Sequence, residues 1–133
     1  MAEEGYTPLV IHALYYLAEA AGWRSGLRWQ LLSRGVYSAE LQRLLVAGRA
    51  PRPPREAVER VRRFIRIACR GDGGNCGLIV VAAAKIAAYR RLGMRYEDSH
   101  VVPRWLISRI TRALEEAGIP PRTETIITPA VLA

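Results

Sequence analysis

Residues 48–71 read GRAPRPPREAVERVRRFIRIACRG. Pro51, Pro53 and Pro54 forbid a helix in the first part of this stretch. From Arg55 the pattern takes on the helical period. At 100° per residue Ala57, Val58, Val61, Phe64, Ile65 and Ala68 gather on one side. Arg55, Arg62, Arg63, Arg66 and Arg70 gather opposite, within about a third of the circumference. The pattern predicts a helix from Arg55 to about Cys69, apolar on one face and cationic on the other. Eight of these 24 residues are Arg and two are Glu. Glu59 is placed to pair with Arg62 or Arg63. The remaining cations have no local partner, repel one another, and cost stability unless a polyanion relieves them.

The same period extends outward in both directions. Towards the N-terminus, Ser38 caps AELQRLLVA, which Gly48 closes, with Leu41, Leu44 and Leu45 on one side. Before it, Ser25-Gly26 opens a short helix, LRWQLLSR, closed by Gly35. Thr7-Pro8 opens LVIHALYYLAEAA, apolar on nearly every side and ended by Gly22, as expected of a buried helix or a subunit contact. Within it His12 reads as a satisfied core histidine, and Tyr15 and Tyr16 as packing. Towards the C-terminus, RGDGGN is a helix–helix turn. Asn75 caps LIVVAAAKIAAYRRL, the most apolar helix and so a core element, which Gly93 ends. PRWLISRITRALEEA follows, ended by Gly118. Its apolar set is Leu106, Ile107, Ile110, Ala113, Leu114 and Ala117; Arg104, Trp105, Ser108, Arg109 and Arg112 lie opposite. Its arginines lie near the N-terminal half and Glu115 and Glu116 near the C-terminal half, an order against the helix-dipole preference. The tail, 119–133, has a β-branched stretch from Thr123 to Thr128 and is expected to be extended, as an edge strand or an arm. The expected fold class is therefore all-α, a single domain over 1–118 of about six helices. It divides into halves 9–70 and 71–118, with 119–133 as an extended tail.

The chain has 133 residues and a formal charge of +8. The charge is uneven: −3 over 1–22, +9 over 23–70, and +1 over each of 71–98 and 99–133. Such a concentrated basic region attracts a polyanion. The 20 basic residues are Arg except Lys85. Arg suits phosphate and guanine edges, although GC-rich coding in a thermophile produces the same bias.

No run of 18 apolar residues is present, so no membrane span is expected. The start lacks a basic n-region, so a cytoplasmic, nucleoid-associated protein is the default. Cys69 and Cys76 flank one short loop where pairing is open to them, and the sequence does not decide it; intracellular disulfides are rare, so two free buried thiols are the leading expectation. With His12 and His100 they match no zinc spacing, so neither a metal nor a cofactor is expected. Asp72, Glu97, Asp98 and His100 form the one reactive-looking group, and turn chemistry explains it. No acid pair and no nucleophile–base set points to an enzyme.

Two resemblances bear on function. LYYLAEAAG (14–22) and SRGVYSAELQRLLVAGRAPRPPREAVERV (33–61) resemble the helix-turn-helix domain of the Xre/λ-repressor family over residues 9–70. Gly35-Val36, Leu41, Leu44, Gly48-Arg49, Pro51, Pro53 and Glu56 fall in that family's order. The sequence departs from it in lacking the Gln that opens the scanning helix and in having Leu31 where a small residue normally stands. The likeness implies that helix 38–47 enters the major groove. Tyr37, Ser38, Glu40, Gln42 and Arg43 would form its polar surface, Gln42 reading adenine and Arg43 guanine, while Arg49, Arg52 and Arg55 hold phosphates. Second, PREAVER, VVAAAKIAAYRRLG and VPRWLISRITRAL resemble, more weakly, a cyclin-type repeat of archaeal transcription factor B over 54–117. That likeness implies reading by Arg104, Ser108, Arg109 and Arg112.

Double-stranded DNA is the expected partner of both surfaces, together with the Arg62, Arg63, Arg66 and Arg70 face. RNA carries the same polyanionic chemistry, and the sequence does not choose between them. The leading expectation is a small transcriptional regulator. The alternative is a structural DNA-coating protein, such as a filamentous archaeal virus coat, in which case it would reside in the virion. The apolar segments LVIHALYYL and ITPAVLA suit packing in a homo-oligomer.

Overall fold

A computed structural model describes residues 8–70, 76–92, 103–120 and 127–129. The expectations placed on Thr7, Asp72, Asn75, Gly93, Glu97, Asp98 and His100 lie outside these residues. The described fold is mostly helical, with five helices and a small sheet: α1 (Pro8–Ala20), β1 (Trp29–Leu32), β2 (Gly35–Tyr37), α2 (Ala39–Val46), α3 (Arg55–Ala68), α4 (Cys76–Arg91), α5 (Arg104–Glu116) and β3 (Ile127–Pro129).

The expected short helix over LRWQLLSR is instead a β-hairpin. β1 pairs antiparallel with β2, Leu31 opposite Val36 and Leu32 opposite Gly35, around the turn at Ser33 and Arg34. Trp29, Leu31 and Val36 are buried while Gln30 is exposed, the alternation of a half-buried strand. With only eight residues between Gly26 and Gly35, the segment is too short to hold a helix on its own. β3 adds to the other side of β1 in parallel, giving the order β2-β1-β3. Of the stretch expected to be extended, Thr123–Thr128, only Ile127 and Thr128 are described and both lie in β3, the rest being outside the described residues; β3 is an edge strand, where Pro129 is tolerated.

α1 and α4 pack together at the centre. Ala82, Ala83, Ala84, Ala87 and Ala88 of α4 are buried and small, so the neighbouring backbones come close. The hairpin lies on one flank of this pair. At Gly35 an added Cβ would stand 3.2 Å from Val81 Cγ1 and 3.4 Å from Leu9 Cδ2, so α4 and α1 both press on the strand. Lys85 Nζ donates to Ser33 O at 2.7 Å and pins the turn. α3 packs on α1, α4 and α5, and α5 on α3 and α4. The all-round apolar character of α1 thus has an explanation inside one chain. Val10, Ala13, Tyr16 and Leu17 are buried among these elements.

A polar network ties the hairpin to α1. The buried Glu19 carboxylate accepts from Trp29 Nε1–H and, at 3.2 Å, from Ser25 N–H. Buried His12 takes the two roles of a neutral imidazole. Nδ1 accepts from Ser38 N–H at 3.0 Å, and Nε2–H donates to Gln42 Oε1 at 3.0 Å. Its ring also stacks on Tyr37, centroids 4.6 Å apart. Burial lowers the His12 pKa below the ordinary histidine value, and the Gln42 hydrogen bond offsets this only in part.

The two cysteines are not free: Cys69 and Cys76 form a disulfide, their Cα atoms 5.2 Å apart. α3 ends at Ala68 and α4 starts at Cys76, so the helix–loop–helix turn brings both to bridging distance. Loop closure of this length contributes about 2.5 kcal/mol in the chain-entropy account. Reduction, or the double change Cys69→Ala and Cys76→Ala, is expected to lower the unfolding free energy by that amount, seen as a lower denaturant midpoint, with helix content retained. A midpoint indifferent to reductant counts against the bridge.

Candidate nucleic-acid interface

α3 starts where the prolines stop. Pro54 is its N-cap with extended backbone and no side-chain cap bond, and Glu56 sits in the first turn. Ala57, Val61, Phe64 and Ala68 are buried, as the periodicity requires. Arg55, Arg62, Arg63, Arg66 and Arg70 are all exposed. Among the described residues none of the five forms an ion pair. The expected Glu59 pairing with Arg62 or Arg63 is not made. The helix pairs Glu56 with Arg60 instead, at 3.8 Å. Arg60 belongs to the scaffold: its Nη1 donates to Ala21 O at 3.0 Å and holds the C-terminus of α1. Its place at the edge of the apolar stripe hid that role from the periodicity.

α5 lies beside α3, and Arg109 joins them. This half-buried side chain donates from Nη2 to Ala68 O at 3.2 Å and to Arg70 O at 3.4 Å. It therefore braces the C-terminal end of α3. Arg109 lies mid-way along α5 and meets the carbonyl end of the neighbouring helix, where a cation is favoured. Arg104, Ser108 and Arg112 are exposed on α5, as is Trp105. α3 and α5, which carry the two arginine sets, pack against each other, and Arg109 joins them.

The α2 surface fares differently. Ser38 is fully buried; its hydroxyl caps α2 by accepting from Leu41 N–H at 3.1 Å. Gln42 is half-buried, and its carbonyl oxygen accepts from His12, which fixes the side chain toward α1. Glu40 Oε1 accepts from Arg28 N–H at 3.3 Å. Of the base-reading set only Arg43 stands exposed, with Arg49 and Arg52 exposed beyond Gly48. The element before α2 is a hairpin, so the scanning helix implied by the Xre likeness is not there. Ser38 and Gln42, expected as DNA contacts, both make hydrogen bonds inside the fold.

Among the described residues no cluster of His, Cys, Asp and Glu is placed to hold a metal, and no helix is long and apolar enough to cross a membrane. The chain matches no known family model, no curated protein and no solved structure.

Proposed function

We propose that the protein binds duplex DNA through the outer face of α3 and the adjoining flank of α5, holding phosphates and discriminating sequence weakly. The observation that carries this reading is the exposed set Arg55, Arg62, Arg63, Arg66 and Arg70, which has no ion-pair partner among the described residues. Phosphate contacts position a protein, whereas base contacts specify. With Ser38 and Gln42 engaged internally, the balance moves from reading to coating.

Five phosphate contacts give a log–log salt dependence with a slope of about −4 to −5. Titration of a random-sequence duplex from low to high salt measures it, and a nearly flat response rejects the reading. A duplex RNA of the same sequence, run in parallel, reports which polymer is preferred.

A sequence-reading regulator is the second reading. The α2–Gly48–Pro51–Pro53–α3 order retains the later part of the Xre pattern, and Arg43 faces solvent. Footprinting separates the two: a regulator protects a discrete site, whereas a coating protein protects DNA throughout.

A further inference from the structure

We propose that Trp105 is a stacking platform for an unpaired base, set at the end of the α3 arginine row, so that a junction of duplex and single-stranded DNA is the preferred ligand. This deepens, and rests on, the reading of α3 as the phosphate-holding face.

Trp105 is 63% exposed. The other tryptophans are held: Trp29 is buried and bonded to Glu19, and Trp23 lies against Tyr15 with centroids 6.1 Å apart. An exposed Trp forgoes the burial that normally places it in a core or an interface. Nothing in the packing of α5 requires an aromatic residue there, because Ile110, Ala113 and Leu114 supply its buried face.

Position gives the exposed ring its meaning. Arg60 Nε lies 3.7 Å from where a Cβ on Gly118 would stand, while Arg109 reaches the carbonyls of Ala68 and Arg70. Moving up α3 means moving down α5, so the two helices run antiparallel. The first turn of α5 therefore projects past the C-terminal end of α3. Arg62, Arg66 and Arg70 succeed one another along α3 at steps of about 6 Å. Trp105 lies one turn before Arg109 on the same flank of α5, at the end to which that row leads. Arg112 shares this flank. A strand whose phosphates follow the row arrives at an indole face with cations beside it. Every base presents a π-face for such stacking, which needs no sequence preference.

Three DNAs test this: a duplex closed by loops at both ends, the same duplex with a single-stranded extension of about ten nucleotides, and that extension alone. The extension is expected to tighten binding about tenfold over the closed duplex and to quench tryptophan emission. Trp105→Ala is expected to abolish both the gain and the quench while leaving closed-duplex affinity within about twofold; Trp105→Phe keeps part of the gain. If the closed duplex binds with its steep salt dependence but the extension adds nothing, or if Trp105→Ala keeps the gain, the stacking role is wrong and the α3 reading stands. If none of the DNAs binds, both are wrong.

Discussion

The triple variant Arg62→Ala, Arg63→Ala and Arg66→Ala is expected to bind duplex DNA about 500-fold more weakly at 0.1 M salt, and nearly as well as the parent at 1 M. The reasoning is counterion release. Each phosphate contact contributes about 0.9 to the slope of log affinity against log salt, so three contacts remove close to three decades over that interval. The slope itself should fall from about −4.5 to about −2. A damaged fold would also lose binding, but the two causes move stability in opposite directions. These side chains are exposed and unpaired among the described residues, and Ala is the better helix former. Removing their mutual repulsion should leave stability unchanged or raise it by a few tenths of a kcal/mol per site. A weaker binder that is no less stable is the signature of a removed interface. Lysine at the same three positions should preserve the slope, since that counts charges, while losing the planar fork of Arg. Binding of the alanine variant within about threefold of the parent at 0.1 M salt would place the DNA elsewhere.

The helical part of this fold is legible because its signals are local. Ser38 before a leucine stripe, three prolines before Arg55, and the 3.6-residue spacing of Ala57, Val61, Phe64 and Ala68 each fix an element from neighbours in sequence. The hairpin escaped for a related reason. LRWQLLSR satisfies a helix template and a strand template over a span too short to separate them. Its choice is made by tertiary partners: α1 through Leu9, α4 through Val81 and Lys85, and β3 from the far end of the chain. Leu31 faces the core from a strand, where a large apolar residue belongs.

The candidate interface divides along the same line. Which arginines point outward on α3 follows from angular position alone. What an individual side chain meets across the fold does not. Arg109, Ser38 and Gln42 have the same polar character as true contact residues. Only the approach of the α3 carboxyl end reveals that Arg109 is engaged, and only the His12 ring reveals it for Gln42, whereas the capping role of Ser38 is readable locally. The disulfide belongs here as well, because cysteines seven residues apart bridge or not according to how the helices around them turn.

His12→Ala is expected to destabilise the protein by about 3–5 kcal/mol, a large share of the total for a domain of this size. The buried Ser38 N–H loses its acceptor, which costs about 1–3 kcal/mol. The imidazole also leaves a hole beside Tyr37 and Trp29, with ring centroids now 4.6 and 6.3 Å from His12. His12→Phe refills the space but leaves Ser38 N–H unpaired, so its loss should be smaller and should measure the polar part alone. The same geometry sets a pH dependence. Nδ1 faces a donor, so a protonated ring would set N–H against N–H, and burial already disfavours the charged form. The folded pKa is thus below the unfolded value of about 6.5. The unfolded chain takes up the proton first, so the stability His12 confers is complete above that value and drains away as pH falls below it. Up to about 1.4 kcal/mol per pH unit is available to one group. Unfolding free energies between pH 8 and 5.5 should decline for the parent, and less steeply for His12→Phe. Equal slopes in the two proteins, or an alanine variant within about 1 kcal/mol of the parent, would mean that α1 and α2 are joined by something other than this ring.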